Sequence, residues 1–329
     1  MMSSAAIDEA VTGEVANGEA ANSAGRFRAI FFGIAKYLIG IILCLTPFTA
    51  VIVLGWLSRK LANDVGRRLG GHRLGSWPNF VLTEKEASVG RWSRLIGGLL
   101  RNVTCGLKAW IAIFVITAPF SLVWLGGWLA GWENSFSKGY ELSGIWPSVS
   151  LAAVFSSLPV LALVPMAIAH QAVSGTISAV FEFRRIAALA RSAGWSYLTL
   201  SILIGIGSIG VFGIRGLPVF AEQFSVRVAS GSPQAIMEFA QQYKLVMTAL
   251  LFTGLLVMRH VLARVYAKAY LRLEGEHTVH WIKTAFIFCL ISLLWLSAVL
   301  LIYVSQFLNY TWWSWLNQPF TMLPWIGII

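Results

Sequence analysis

The run LKAWIAIFVITAPFSLVWLGGWLAGW, from Leu107 to Trp132, decides the fold. Its single charge, Lys108, lies in the first turn, and the rest is apolar, small or aromatic. A bilayer core of about 30 Å is crossed by roughly 20 such residues in helix. Five more segments read the same way or nearly so: Ala29–Leu57, Trp146–His170, Trp195–Ile214, Ile236–Met258 and Ala285–Leu308. The fifth of the six in chain order is the weakest, because Glu238, Gln241, Gln242 and Lys244 crowd its first turns; Ser232-Pro233 marks its start as an N-cap and first-turn pair. Composition agrees, with 57% hydrophobic and 12% charged residues. Soluble domains carry about 25% charged residues, so this chain has too little polar surface to cover a globule in water. A soluble enzyme, a disordered chain and a coiled coil are excluded. The expected fold is an all-α polytopic transmembrane bundle of six spans over residues 26–308, with interfacial amphipathic helices.

The chain is also strongly basic, with a formal net charge of +11. Such a balance marks nucleic-acid binders, but it also follows when Lys and Arg gather on the cytoplasmic side of a membrane. Position separates the two. Between the first and second spans lie Arg59, Lys60, Arg67, Arg68, Arg73, Lys85, Arg91, Arg94 and Arg101, with Lys108 at the entry to the second. Arg184, Arg185 and Arg191 separate the third from the fourth, and Arg259, Arg264, Lys268, Arg272 and Lys283 the fifth from the sixth. These loops carry 18 of the 25 basic residues, while the loops alternating with them carry four, Lys138, Arg215, Arg227 and Lys244. The bias is topological. Nucleic acid is not an expected partner, and the basic loops are assigned to the cytoplasmic face of the membrane.

Six simple spans put both termini outside, against the pull of Arg26 and Arg28. Ala29–Leu57 is 29 residues long, about 43 Å as straight helix, and holds Pro47, which removes a backbone hydrogen bond and kinks a helix. A chain that turned back there would keep the N-terminus cytoplasmic. Such a hairpin exposes backbone that neighbours must shield, so a kinked span is expected. Residues 1–25, polar and acidic without aromatics, read as a disordered tail, not as a secretory signal. Trp56, Trp132, Trp146, Trp195 and Trp281 fall at span ends, where an amphipathic ring prefers the headgroup level. Residues 309–329, with Trp312, Trp313, Trp315 and Trp325, two prolines and no charge, are expected along the outer interface.

Two cytoplasmic stretches have helical stripes. In Ser88–Asn102, Trp92, Leu95, Ile96, Leu99 and Leu100 recur at helical spacing while Arg91, Arg94 and Arg101 project elsewhere. In Arg259–Leu273, Leu262, Val265, Tyr266, Ala269 and Leu273 form one face, and Arg264, Lys268 and Arg272 another. Both read either as interfacial helices whose basic faces contact anionic headgroups, each Lys or Arg contributing about 1 kcal/mol, or as solvated positive-inside stretches continuing a span.

Gly55-Trp56-Leu57-Ser58-Arg59, Trp77-Pro78-Asn79-Phe80 with Gly106-Leu107-Lys108, and Pro165 to Arg185 with Phe181-Glu182-Phe183 after Gly175 together resemble a family of prokaryotic polytopic membrane proteins known as a domain of unknown function. The likeness covers roughly residues 30–215. It departs in the longer stretch between Pro78 and Gly106 and in Trp at positions 56 and 77. The resemblance implies a multi-helix integral membrane protein and carries no catalytic residues.

Chemistry is sparse. All 14 acidic residues fall in tails, loops or span ends, which argues against an ion-coupled pathway, since those need ionisable groups at mid-membrane. Lys36 and Lys108 are placed to snorkel, and His170, closing the third span, reads as interfacial. Glu274, Glu276, His277 and His280 come nearest to a metal site, but without a His-Glu-x-x-His sequence they read as a solvated loop. Gly205, Gly207 and Gly210 match a dinucleotide-binding spacing only formally; inside a span they, with Gly213, serve close helix approach. Cys44, Cys105 and Cys289 read as small buried hydrophobes. No cofactor is expected. The function expected is a non-enzymatic scaffold, assembly or lipid-environment factor, with a membrane-protein partner or a second copy. The alternatives are a passive channel or transporter using the helices around Pro47, Pro119, Pro159 and Pro165, and an enzyme acting on lipids.

Overall fold

Proline costs nothing at the first turn of a helix, where its missing amide hydrogen would have had no partner. At Thr46-Pro47 this sets where the first long helix begins. The computed structural model describes residues 31–70, 90–138, 144–216, 233–275 and 281–305. The acidic tail, the Trp77-Pro78-Asn79-Phe80 motif and the Trp-rich segment 309–329 lie outside them. Helix α1 is Phe31–Leu43. Residues 44–46 are not helical, and α2, Pro47–Arg68, then starts with Thr46 as its N-cap, the Thr46 hydroxyl accepting from the Thr49 amide. Ala29–Leu57 is therefore not one kinked helix. Pro47 starts a helix rather than bending one.

The remaining elements are α3, Arg91–Lys138; α4, Trp146–Ser174; a 3-10 turn, Ser178–Phe181; α5, Phe183–Ala193; α6, Trp195–Gly216; α7, Pro233–Glu274; and α8, Trp281–Ser305. The described residues form helices and turns without a strand. Trp92–Val123, Phe155–Ser174 and Met237–Glu274 are long and apolar enough to cross a membrane. Phe183–Ala193 with Trp195–Gly207, bent by 101°, makes a fourth if the pair is taken as one span. Gly194 makes that bend, with a φ of 57° that side-chain-bearing residues avoid.

The two amphipathic stripes are not separate interfacial helices. The first stripe, from Arg91 to Asn102, is the start of α3, which runs unbroken for 48 residues, about 72 Å. Its apolar residues Trp92, Leu95, Ile96, Leu99 and Leu100 are exposed. Arg259–Leu273 continues α7, 42 residues long, and here the apolar face is covered by protein: Leu262, Val265, Tyr266 and Ala269 are buried in the main core with Met166, Ile186, Leu189 and Tyr197. The short helix α5, in the expected loop between the third and fourth spans, is the strongly amphipathic element. Ile186, Leu189, Ala190 and Ala193 are buried, and Arg184, Arg185 and Arg191 point outward.

Contacts give the helix directions. Trp56 stacks on Phe252, ring centroids 6.1 Å apart, and eight residues further along each helix Asp64 meets His260. Helices α2 and α7 are thus parallel and in register. Arg59 donates to Asn102 at 3.0 Å while Gly106 lies against Val51, so α2 and α3 are antiparallel. Lys108 reaches the Gly175 carbonyl at 3.3 Å, and Thr117 and Ser121 share a hollow with Ser157 and Leu161, so α3 and α4 are antiparallel too. Trp195–Phe286, Tyr197–Phe288 and Gly205–Leu294 make α6 and α8 parallel. Consequently the C-terminal ends of α2, α4 and α7 and the N-terminal end of α3 share one end of the bundle. It is the end that carries the basic loops. Trp56, expected at a headgroup boundary, is instead fully buried against Phe252.

The tightest helix contact is made by Gly55 and Gly106. A Cβ on Gly55 would stand 1.8 Å from the Asn102 carbonyl oxygen, and one on Gly106 would stand 1.9 Å from that of Val51. Both obstacles are backbone and cannot rotate away. Gly55→Ala and Gly106→Ala are each expected to lower stability by about 1–3 kcal/mol. Gly254→Ala, where nothing lies within 4 Å, is expected to leave stability unchanged or raise it by up to about 1 kcal/mol. Thermal unfolding of the three variants in one detergent checks the order.

Candidate functional site: a buried polar layer

Above the Trp56–Phe252 stack, the basic end of the bundle buries ionisable groups. Asp64 and Lys60, one turn apart on α2, are both buried and joined at 2.7 Å. Arg67 also donates to the Asp64 carboxylate, and the His260 Nδ1 of α7 lies 3.5 Å from it. One carboxylate so gathers three nitrogen groups from two helices. Burial by itself raises the Asp64 pKa, but hydrogen bonds from Lys60, Arg67 and His260, with the Lys60 charge, outweigh it and hold the carboxyl below its usual range.

A second cluster lies beside it. His170 of α4 is 4% exposed. Its Nδ1 is 2.9 Å from the Tyr266 hydroxyl of α7, and its Nε2 is 3.0 Å from a Glu182 carboxylate oxygen in the turn before α5. A neutral imidazole satisfies both when Tyr266 donates to Nδ1 and Nε2–H donates to Glu182. The His170 hydrogen bond is the largest cause and lowers the Glu182 pKa; desolvation opposes it, and the charge and hydrogen bond of Arg185 add to the lowering. The chain leads from a buried hydroxyl to a carboxylate whose side chain is 46% exposed. Two more ties close the end: Ser192 Oγ lies 2.9 Å from the Ala269 carbonyl, and Arg272 donates to the Ser192 carbonyl at 3.2 Å.

Several expected residues change role here. His170 is a buried bridge, not an interfacial residue. Lys108 is held on the α4 terminus. Of the basic residues assigned to anionic lipid, Arg264 and Lys268 do project from the exposed face of α7 and Arg101 is exposed on α3. Arg272 is engaged with α5, Arg94 is half-buried, and the side chain of Arg91 lies outside the described residues. A Cβ on Gly205 would meet the Leu294 side chain at 3.0 Å, and one on Gly207 would meet Met258 Cε at 2.9 Å, so both are packing glycines, though against movable side chains. Gly210 and Gly213 lie outside the residues described at this level. Glu276, His277 and His280 also lie outside, and Glu274 is exposed at the end of α7. No group of three potential ligands for a metal occurs among the described residues. Cys44 is buried as expected, whereas Cys289 is exposed on α8.

No family model matches the chain, and neither a curated protein nor a solved structure is significantly similar to it. The resemblance noted above rests on its own motifs. Among the described residues, Gly55 lies on Gly106 and Lys108 reaches Gly175.

The layer has a testable energetic signature. Removing one partner of a buried ion pair costs about 3–5 kcal/mol because the other charge is stranded, so Asp64→Ala is expected to destabilise far more than Arg264→Gln on the exposed face. Asp64 titrates lower folded than unfolded, so its contribution is complete above about pH 5 and shrinks as pH falls through its ordinary value near 4. It is gone below the folded value. Glu182 acts in the same sense. The thermal midpoint should fall steeply between pH 5 and 3, and less steeply in Asp64→Asn.

Proposed function

We propose that the chain is a six-span integral membrane scaffold whose cytoplasmic end is braced by the buried polar layer. The observation that carries this reading is where the polar groups are spent. Asp64, Lys60, His170, Glu182, Ser192 and Arg272 bond to one another or to backbone across α2, α4, α5 and α7, and so fix helices relative to each other. Alternation of helix directions supports six spans, with Ala29–Leu57 as the first despite its interrupted helix and α8 as the last. On this reading α5, turned 101° from α6 with its arginines outward, is the interfacial helix. Its Arg184, Arg185 and Arg191 join Arg264 and Lys268 in facing anionic headgroups, and the partner is a membrane protein or a second copy.

The passive-pathway reading has one observation in its favour. Thr117, Ser121 and Ser157 line a hollow beside Pro119 and Pro159, with Phe120, Val160 and Leu161. Its cavity volume of about 10 Å³ is that of a single water site, far below the roughly 300 Å³ at which small-molecule sites begin.

Two experiments test the proposal. Proteoliposomes of the full chain are expected to pass no small solute faster than empty vesicles, and native nanodiscs to yield a single protein, or a second copy, at fixed stoichiometry. Solute flux blocked by modifying a cysteine introduced at Val160 overturns the scaffold reading, as does turnover of labelled membrane lipid. For topology, a label on the N-terminal tail should react from outside intact cells. Reaction only after permeabilisation contradicts six spans.

A further inference from the structure

Arg259 is the one charged residue among the buried side chains that have an atom without a hydrogen-bond partner among the described residues. It is 5% exposed, and its Nη1 meets no acceptor. Its place follows from the helix repeat. Arg259 lies seven residues after Phe252 and seven before Tyr266, so the three share one face of α7. Phe252 stacks on Trp56 of α2, and Tyr266 bonds His170 of α4. The guanidinium therefore sits between those two layers, on the side where α2, α4 and α7 meet.

The charges around it do not balance. The parallel register of α2 and α7 sets Arg259 about one turn from both Lys60 and Arg67, with Asp64 the buried acid of the layer. Asp64 is already engaged by Lys60, Arg67 and His260. An arginine cannot shed its proton at any ordinary pH, and a cation out of water without a counter-charge is strongly unfavourable. A helix end that must pack so closely has reason to keep such a group only if something binds it.

We propose that Arg259 is the recognition cation of an internal oxyanion site at the α2–α4–α7 junction, and that its ligand is a phosphate group. The planar guanidinium fork matches phosphate oxygens with two parallel hydrogen bonds. The surplus positive charge from Lys60 and Arg67 favours a ligand carrying at least one full negative charge. The site lies at the basic end, the level at which basic pockets between membrane helices meet lipid headgroups. The phosphate is that of an anionic phospholipid or free inorganic phosphate; both present the same oxygens. The site does not depend on the scaffold reading.

The test uses the full chain, purified in a maltoside detergent, stripped of lipid and kept free of phosphate. Phosphatidylglycerol and inorganic phosphate are the probes, and binding is followed by native mass spectrometry and thermal unfolding. Wild type is expected to bind one probe molecule per chain and to unfold at higher temperature with it. Binding of phosphatidylglycerol alone identifies a lipid headgroup; binding of inorganic phosphate as well identifies a free phosphate. Arg259→Met should bind about ten- to a hundred-fold more weakly, the factor for losing a charge-assisted hydrogen bond. Without probe it should be at least as stable as stripped wild type, having lost an unpaired buried charge. Arg68→Gln, exposed in the last turn of α2, should bind as wild type does. Should Arg259→Met fail to fold, Arg259→Lys takes its place and is expected to bind about tenfold more weakly, since an ammonium cannot make the paired contact. Wild type that binds neither probe, or an Arg259 variant that binds with unchanged affinity, overturns the proposal.

Discussion

A carboxylate on α2, a histidine on α4 and a tyrosine on α7 have all left water at the same end of this bundle, and the helices there lie where those groups require them. In a low-dielectric interior an unpaired polar group costs far more than a paired one gains. Asp64 can be buried only because Lys60, Arg67 and His260 reach it, and His260 comes from another helix. His170 can be buried only between Tyr266 and Glu182. Slide α7 by one turn and both clusters lose a partner together. The layer therefore fixes the register of α7 against α2 and α4, something apolar contacts between helices do weakly in a bilayer, where lipid tails compete for the same surface.

The opposite requirement acts at the Gly55–Gly106 crossing. There the helices approach until backbone touches backbone, and dispersion between closely fitted surfaces replaces the hydrophobic effect. Arg59 and Asn102 close the same crossing towards the basic end of the bundle. Close packing at one level and paired charges at the next give the α2–α3–α7 region a definite geometry. Beyond it α3 and α7, at 48 and 42 residues, outrun the bilayer core. The start of α3 presents Trp92, 79% exposed, among other exposed apolar residues.

Fold class was legible because long apolar runs leave a bilayer little choice but helix. The placement of charge gave the common basic end, which the parallel α2 and α7 share. What escaped reading depended on what lies beside a residue in space. Pro47 signals a kink when surrounded by apolar sequence, yet Thr46 before it is an N-cap, the same pairing that Ser232-Pro233 announced for α7. Pro119, by contrast, sits inside continuous helix. Trp56 has the position of a boundary residue but faces inward to Phe252. The stripe around Tyr266 looked like a lipid-facing surface because its covering partners, α4 and α5, are about 80 to 100 residues away in sequence. The spacing of Ile186, Leu189, Ala190 and Ala193 was there to be read as an amphipathic turn, but three arginines within a short loop drew the reading to charge alone. His170 carried no local sign of its partners.

The central claim is that the polar layer couples helices, so that its members act together and not as separate surface groups. A double-mutant cycle across α4 and α7 measures this most directly, with unfolding free energies of Tyr266→Phe, His170→Ala and the combination in the same detergent. A coupling of about 0.5–3 kcal/mol is expected, the range for residues in one hydrogen-bonded network. Additive effects would show that His170 and Tyr266 do not hold one another and would contradict it.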